Sequence, residues 1–413
     1  MHRSEERARR AAYLYAAALI TVLYLFLPYG GYERMMEGKW HCFLLLAVPG
    51  TLALAALAPC AAPRREILRA CAAVYLLATA LSALASPYDA VTLLGGTRRD
   101  GLLSIALYVA AFFLFARFLR PDRLLLRLSA AAAALSAVLA LAQIAGGNPL
   151  GLYPADLGYA DGDIAYAGFF AGTSGNVDFA AFLLALAVAV LTAALIRGRT
   201  WELAPAIALA LLALWRLGVA AAWVGLAAAA VWSPALLFPR HRGRMLLLSA
   251  ALTAAGAAIL YGWPSPDGTL GELSRAMHGE LDGSFGSGRV AIWRSCLPLV
   301  RERPLLGGGP DTLALRGVPP MNWIVDGELE VVDITAAHNE YLNILVNQGA
   351  LALAAYLALL GAALARCFRR AAETRFVVCG AGLLAYAAMA MFSISTPITA
   401  PYVWLLLALA AGA

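Results

Sequence analysis

One imidazole and a few arginines carry most of the chemistry this sequence offers. His338 opens HNEYLNILVNQGALALAAY (338–356), where a polar cluster passes directly into an apolar run. A neutral imidazole can take a proton from a hydroxyl near neutral pH. Placement at a helix N-terminus should lower its pKa and keep it neutral. The alternative is an interfacial histidine satisfied by Glu340 or Asp333. Asn339, Asn343 and Asn347 follow at intervals of four, which stacks three amides on one helical face. Amides are costly in lipid, so the stripe should line a cavity or a protein contact.

The arginines suggest an anionic ligand. Arg289 follows Gly286-Ser287-Gly288 at the start of an apolar-faced segment with Val290, Trp293, Leu297 and Val300. There a guanidinium and a helix N-terminus favour the same charge. Arg216 lies in LWRLGVAAAW, midway through Leu203–Phe238. Those residues make about 54 Å of helix where two crossings of a hydrocarbon core need roughly 60 Å. The turn should therefore dip into the membrane, leaving Arg216 deep and without a nearby acid. That favours a ligand role over a structural salt bridge. Arg98 and Arg99, in LLGGTRRDGLL, read either as snorkelling residues partly paired by Asp100 or as anion binders.

These residues must be positioned by membrane helices. Of 413 residues 62% are hydrophobic and only 14% charged, and the mean hydropathy is +0.75, which excludes an ordinary soluble domain. Apolar runs near 11–28, 41–59, 67–85, 101–118, 124–146, 176–196, 203–217, 218–238, 244–263, 339–365, 376–395 and 400–413 predict twelve crossings in one polytopic domain, 1–413. Basic residues cluster in the N-terminal tail (Arg3, Arg7, Arg9, Arg10) and in every second connection: Arg64 to Arg69, Arg117 to Arg127, Arg197-Arg199, Arg240 to Arg244 and Arg366 to Arg375. That alternation predicts cytoplasmic N- and C-termini. The net charge of +6 is thus an orientation signal, and no nucleic-acid partner is implied. The long external loop is 264–337, between spans nine and ten. Asn176 should cap the sixth span, and Gly307-Gly308-Gly309 reads as a turn. No cleavable signal, internal repeat or disulfide framework is evident.

The blocks together resemble the O-antigen ligase/polymerase superfamily. His338-Asn339, nine residues and then Gly349 is similar to the signature of the O-antigen ligases, with Ala352 where Gly, Thr or Tyr is usual. Gly288-Arg289 to Trp293, followed by Pro304 to Pro310, resembles the family's external-loop block. Ala171–Ala181 resembles its Gly-Thr-x-Gly-Asn-x-Asn block, with Asp178 where Asn is usual, and Trp215-Arg216 stands where Ser-Arg is common. The resemblance implies an all-α, GT-C-like bundle in the bacterial cytoplasmic membrane with an extracytoplasmic active site. It implies a metal-independent, cofactor-free, inverting glycosyltransferase. The donor would be a glycan on undecaprenyl pyrophosphate, and the acceptor a hydroxyl of the lipid A core, a growing polysaccharide or a protein. Within it His338 would be the base, Arg216 and Arg289 would bind the pyrophosphate, and Arg98 or Arg99 would help. Asn176, Asn339 and Asn343 would contact sugar or carrier headgroup. The DxD-like pair Asp161 and Asp163 is a weak metal signal, and no metal site is expected. A lipid-linked glycan transporter is the rival class; the absence of repeats and the gathering of polar groups at one end argue against it.

Overall fold

The computed structural model describes residues 2–27, 30–57, 66–154, 157–160, 168–262, 268–281, 283, 285–325 and 328–412, so Asp161 and Asp163 lie outside the described residues. In chain order the helices are α1 (His2–Ala18, continued by a π-helical turn at Leu19–Leu23), α2 (Met35–Leu57), α3 (Ile67–Leu84), α4 (Asp89–Leu94), α5 (Leu102–Phe118), α6 (Arg123–Ile144), α7 (Val177–Gly198), α8 (Ala204–Leu217), α9 (Ala220–Trp232), α10 (Pro234–Leu237), α11 (Arg242–Gly262), α12 (Gly268–Met277), α13 (Phe285–Glu302), α14 (Glu340–Arg369), α15 (Thr374–Met389) and α16 (Ala400–Ala411). Among the described residues one antiparallel strand pair, β1 (Met321–Val325) and β2 (Glu328–Val332), accompanies the helices, so the all-α expectation needs that amendment.

Each apolar run read from the sequence overlaps a helix, but 218–238 is divided between α9 and α10 and the count of twelve crossings is not thereby established. Seven helical segments among the described residues are long and apolar enough to cross a membrane: those at α2, α3, α6, α7, α9–α10, α11 and α14. Helices α5, α15 and α16 are apolar but shorter. At 14 residues, α8 makes only about 21 Å of helix. Side-chain caps start three of the helices: Asp122 accepts from Leu125 N at 3.0 Å, Asn176 from Asp178 N at 2.8 Å and Asn339 from Leu342 N at 3.0 Å.

The bundle is organised around α7. Seventy-two per cent of its apolar window is buried, against 6% for α11, which makes α7 the central helix and α11 a peripheral one. The buried Lys39 donates to Leu23 O and Tyr24 O (2.7 and 3.0 Å), closing the carbonyl end of the first helix. The basic connections meet at one end of the bundle, where Arg366 pairs with Glu66 (3.3 Å), Arg127 with Glu202 (3.1 Å) and Arg197 donates to Ala372 O (3.0 Å). The tail of α1 is itself helical and ion-paired, Arg9 to Glu5 and Arg10 to Glu6, so the first helix starts ahead of its apolar run.

The eleventh run is shorter than expected. Helix α15 ends at Met389, and most of the residues from Ala390 to Thr399 are buried without helical structure, consistent with the Ser/Thr/Pro-rich sequence SISTP. The segment expected to form the external loop has its own core, in which Ile292, Cys296 and Leu299 of α13 pack on Leu313, Ile334, Ala337 and Val346. That face is one step off the expected one. Trp293 and Val300 flank it, while Leu297 points outward, 48% exposed.

Candidate functional site

The site end of the molecule is built on a break in α14. Gly349 has φ +85° and ψ 176°, so residues 340–348 and 350–369 are separate helical pieces. The second piece alone makes about 30 Å of helix, the thickness of a hydrocarbon core, so the break divides the run expected as one span over 339–365. A break leaves backbone groups unpaired, and the turn after α13 takes them up. Gly308 N donates to Val346 O (3.1 Å) and Gly309 N to Asn347 O (2.7 Å), while Ala350 N and Leu351 N donate to Pro304 O and Leu305 O (2.9 and 3.3 Å). Arg316 adds a bond to Val346 O at 2.7 Å and one to Leu299 O at 2.9 Å. A Cβ on Gly349 would stand 2.2 Å from Leu305 O, which explains a glycine there. The Gly307–Gly309 stretch is indeed a turn, and its bonds lace the segment after α13 into α14. Ala352, the departure from the signature, is fully buried.

His338 precedes the first piece with φ +48°, a conformation uncommon for a non-glycine residue. Its ring is half-buried and has no hydrogen bond among the described residues. Burial, then the charges of Arg98 and Arg289, push its pKa down to about 3. The lowering expected from the helix terminus is there, but its causes are desolvation and the two arginines. Neither proposed carboxylate satisfies the ring: Glu340 is bonded by Ser395 N (2.8 Å) and Ser395 Oγ, and Asp333 is exposed.

Arg98 is anchored through both backbone and side chain. Its N–H and that of Asp100 donate to Asp311 Oδ2 (3.1 and 3.3 Å), its Nε donates to Thr335 Oγ1 (3.1 Å), and its guanidinium lies 5.9 Å from the Phe179 ring centroid. Burial pushes Asp311 up to about 6, opposed by those backbone N–H bonds and by Arg98 itself. Asp100 accepts from Tyr108 (3.0 Å) and so does not pair the arginines. Arg289 begins the regular part of α13 after three residues of positive φ, Gly286 to Gly288. Its Nη1 donates to Gly286 O (2.6 Å), its Nε to Phe392 O (3.2 Å), and its Nη2 faces Asp178 Oδ2 at 3.8 Å.

The remaining expected residues do other things. Arg99 turns away to Glu37 (3.3 Å) and the Trp40 ring (5.1 Å). Arg216 ends α8, exposed and without a hydrogen bond or ion pair among the described residues. Its charge acts on Tyr159, whereas the arginine charges acting on His338 are those of Arg98 and Arg289. Asn176 and Asn339 are helix caps. Asn343 Oδ1 accepts from Ala337 N (3.3 Å) and Asn347 Nδ2 (3.2 Å), and Asn347 Oδ1 accepts from Thr312 N (3.2 Å). The amide stripe therefore meets protein, the second of its two expected fates.

Sequence reasoning passed over Asp178, Asp311, Thr335 and the carbonyl of Phe392 as site groups. An acid in the first turn of the most buried apolar helix was a usable signal for Asp178. Nothing local to Asp311 or Phe392 pointed to the site. Among the described residues no three His, Cys, Asp or Glu side chains converge as a metal-binding group. An apolar cleft of about 580 Å³ runs between α7, α8, α9, α10 and α15, lined among others by Val188, Leu211, Trp223 and Leu237.

Fold and site together define a helical membrane protein with a cationic, histidine-containing centre at one end of its bundle. Residues 205–357 match the family model of the O-antigen ligases, which supports membership of the O-antigen ligase/polymerase superfamily, a group of glycosyltransferase-like enzymes. The match contains Arg216, Arg289 and His338; Arg98 and Asp178 lie outside it. No curated protein matches the chain significantly.

Proposed function

We propose that this protein is a glycosyltransferase that moves a glycan from an undecaprenyl-pyrophosphate carrier to an acceptor hydroxyl on the outer side of the cytoplasmic membrane. The observation that carries the reading is an unbonded His338 in the field of two anchored arginines, Arg98 bonded to Thr335 three residues before it and Arg289 held by Phe392 O. In the reaction the acceptor oxygen attacks the anomeric carbon and its proton passes to the His338 imidazole. The bond from that carbon to the pyrophosphate oxygen breaks, and the electron pair leaves with the carrier. A single displacement inverts the anomeric centre. Negative charge grows on the leaving group, where two fixed guanidiniums stabilise it without losing a proton. The apolar cleft beside α7 and α8 suits the company of a long prenyl chain, with Arg216 at the end of α8 available to its headgroup.

Ligase, polymerase and protein O-oligosaccharyltransferase chemistry differ only in the acceptor. Transfer from a lipid-linked glycan by purified protein in liposomes tests the reading. His338→Ala should lower the rate by at least about a hundredfold, the usual scale of general base catalysis. A properly inserted His338→Ala protein that transfers at the normal rate would sink the base assignment. Translocation of the glycan without transfer would favour a transporter. A deletion strain separates the acceptor classes: single repeat units accumulating on the carrier indicate a polymerase, full-length chains a ligase.

A further inference from the structure

One donor left over on Arg289 turns toward a carboxylate, Asp178, that also lies in the field of Arg98. Arg289 spends Nε and Nη1 on Phe392 O and Gly286 O, which fixes the guanidinium and leaves Nη2 turned toward Asp178 Oδ2 at 3.8 Å. Arg98 spends Nε on Thr335, and its two terminal nitrogens have no hydrogen bond among the described residues. It lies beside Phe179, the next residue to Asp178, and both arginine charges act on the Asp178 carboxylate. That carboxylate accepts no hydrogen bond among the described residues; the long pair with Arg289 is its closest charged partner. The side chains of Arg289 and Asp178 are 17% and 30% exposed, so the pair is reachable from outside and not sealed into the core. The helix-capping job at this point belongs to Asn176, which uses only the backbone N–H of Asp178, so the carboxylate is not needed to start α7.

We propose that Asp178 is a built-in counter-ion that occupies the arginines while the site is empty and is displaced by the donor's diphosphate, weakening the hold on diphosphate and easing release of the carrier. The inference rests on the diphosphate reading above and adds to it a residue that works against affinity. Two guanidiniums facing one half-buried imidazole repel each other, and Asp178 relieves that repulsion in the empty protein. Once diphosphate is bound the same carboxylate becomes a repulsive neighbour. The departing carrier pyrophosphate has one more ionisable oxygen than the donor, so it feels the repulsion more. Asp178 is thus a specificity-determining neighbour of the phosphate site and not a proton acceptor in the reaction.

The test is equilibrium binding of farnesyl pyrophosphate, a short prenyl pyrophosphate, to the full chain in detergent or nanodiscs. Asp178→Asn and Asp178→Ser should each bind it roughly three- to tenfold tighter than wild type, the scale expected for removing one partly solvated charge. Arg289→Ala should bind more weakly. Tightening is a direction that structural damage does not produce, and two replacements of different size guard against an accident of packing. If both Asp178 variants bind no tighter while Arg289→Ala weakens binding, the counter-ion is refuted and the arginine–diphosphate reading stands. If Arg289→Ala binds as wild type does, that reading fails and takes the counter-ion with it.

Discussion

Replacing Gly349 by alanine should dismantle the site without touching any group proposed to react. The backbone there, φ +85° and ψ 176°, lies in a region that is essentially glycine-only, where a side chain costs about 1–3 kcal/mol. The new Cβ would also stand 2.2 Å from Leu305 O and 2.4 Å from Leu305 C, both backbone atoms that cannot step aside. Relief requires the turn at 304–309 to withdraw, which threatens the paired bonds from Gly308, Gly309, Ala350 and Leu351 at about 1 kcal/mol each. With half of those bonds lost, the total is about 3–5 kcal/mol, concentrated where the His338 helix meets the turn at 304–309. Gly361 is the matched control: it lies within the same helix with nothing within 4 Å of an added Cβ. There alanine should stabilise slightly, by up to about 1 kcal/mol. Thermal unfolding of the purified variants, read beside glycan transfer, gives the comparison. Gly349→Ala should melt several degrees lower and lose transfer, whereas Gly361→Ala should match or exceed wild type. Equal melting and equal transfer for the two variants would refute the account of the laced helix break.

The pH dependence should separate two groups. His338 must be neutral to accept a proton, and with its pKa at about 3 in the empty protein, kcat/KM should show no limb near the ordinary imidazole value. Asp311, at about 6, holds the Arg98 loop best as the anion, so a shallow decline as pH falls through that value should vanish in Asp311→Asn. A single steep limb near pH 6.5, removed only by replacing His338, would contradict both assignments. The neighbouring arginines should also part company. Arg98→Ala should cost at least about tenfold in transfer, a loss of roughly 1.4 kcal/mol. Arg99→Ala, which frees only Glu37 and the Trp40 ring, should stay within about threefold, as expected for a surface pair. Near-equal losses for the two in a liposome assay would mean that the loop, and not Arg98, is what matters.

What could be read from the sequence divides along physical lines. Helices announce themselves by apolar length and by caps that act over three residues, so the helical positions and the cap at Asn176 were legible, whereas Asn339 was read as part of the amide stripe and proves to be a cap. Arg289 at a helix start was legible too, because glycines before a guanidinium constrain the local chain. The amide stripe showed that Asn343 and Asn347 need partners but not which, because Thr312 and Ala337 approach only through the fold. Arg98 and Arg99 are adjacent and chemically alike, and their opposite directions are set by Asp311 and Glu37, far away in the chain. The break at Gly349 was hidden for a different reason. Apolar residues continue through it, and only the arrival of a distant turn makes the non-helical conformation affordable. Likewise the span ending at Met389 is followed by residues apolar enough to pass for more helix.

That last segment sets a timetable. Chains emerge N-terminus first, and the family-like signature is complete once residue 352 has been made. Arg289 nevertheless takes its Nε partner from Phe392, and Glu340 takes its partners from Ala390 and Ser395. A nascent protein that has threaded α14 into the membrane thus owns its histidine and its arginines but not the carbonyl that aims one of them. The centre is therefore complete only after the connection between α15 and α16 has been made and has packed against Arg289 and Glu340.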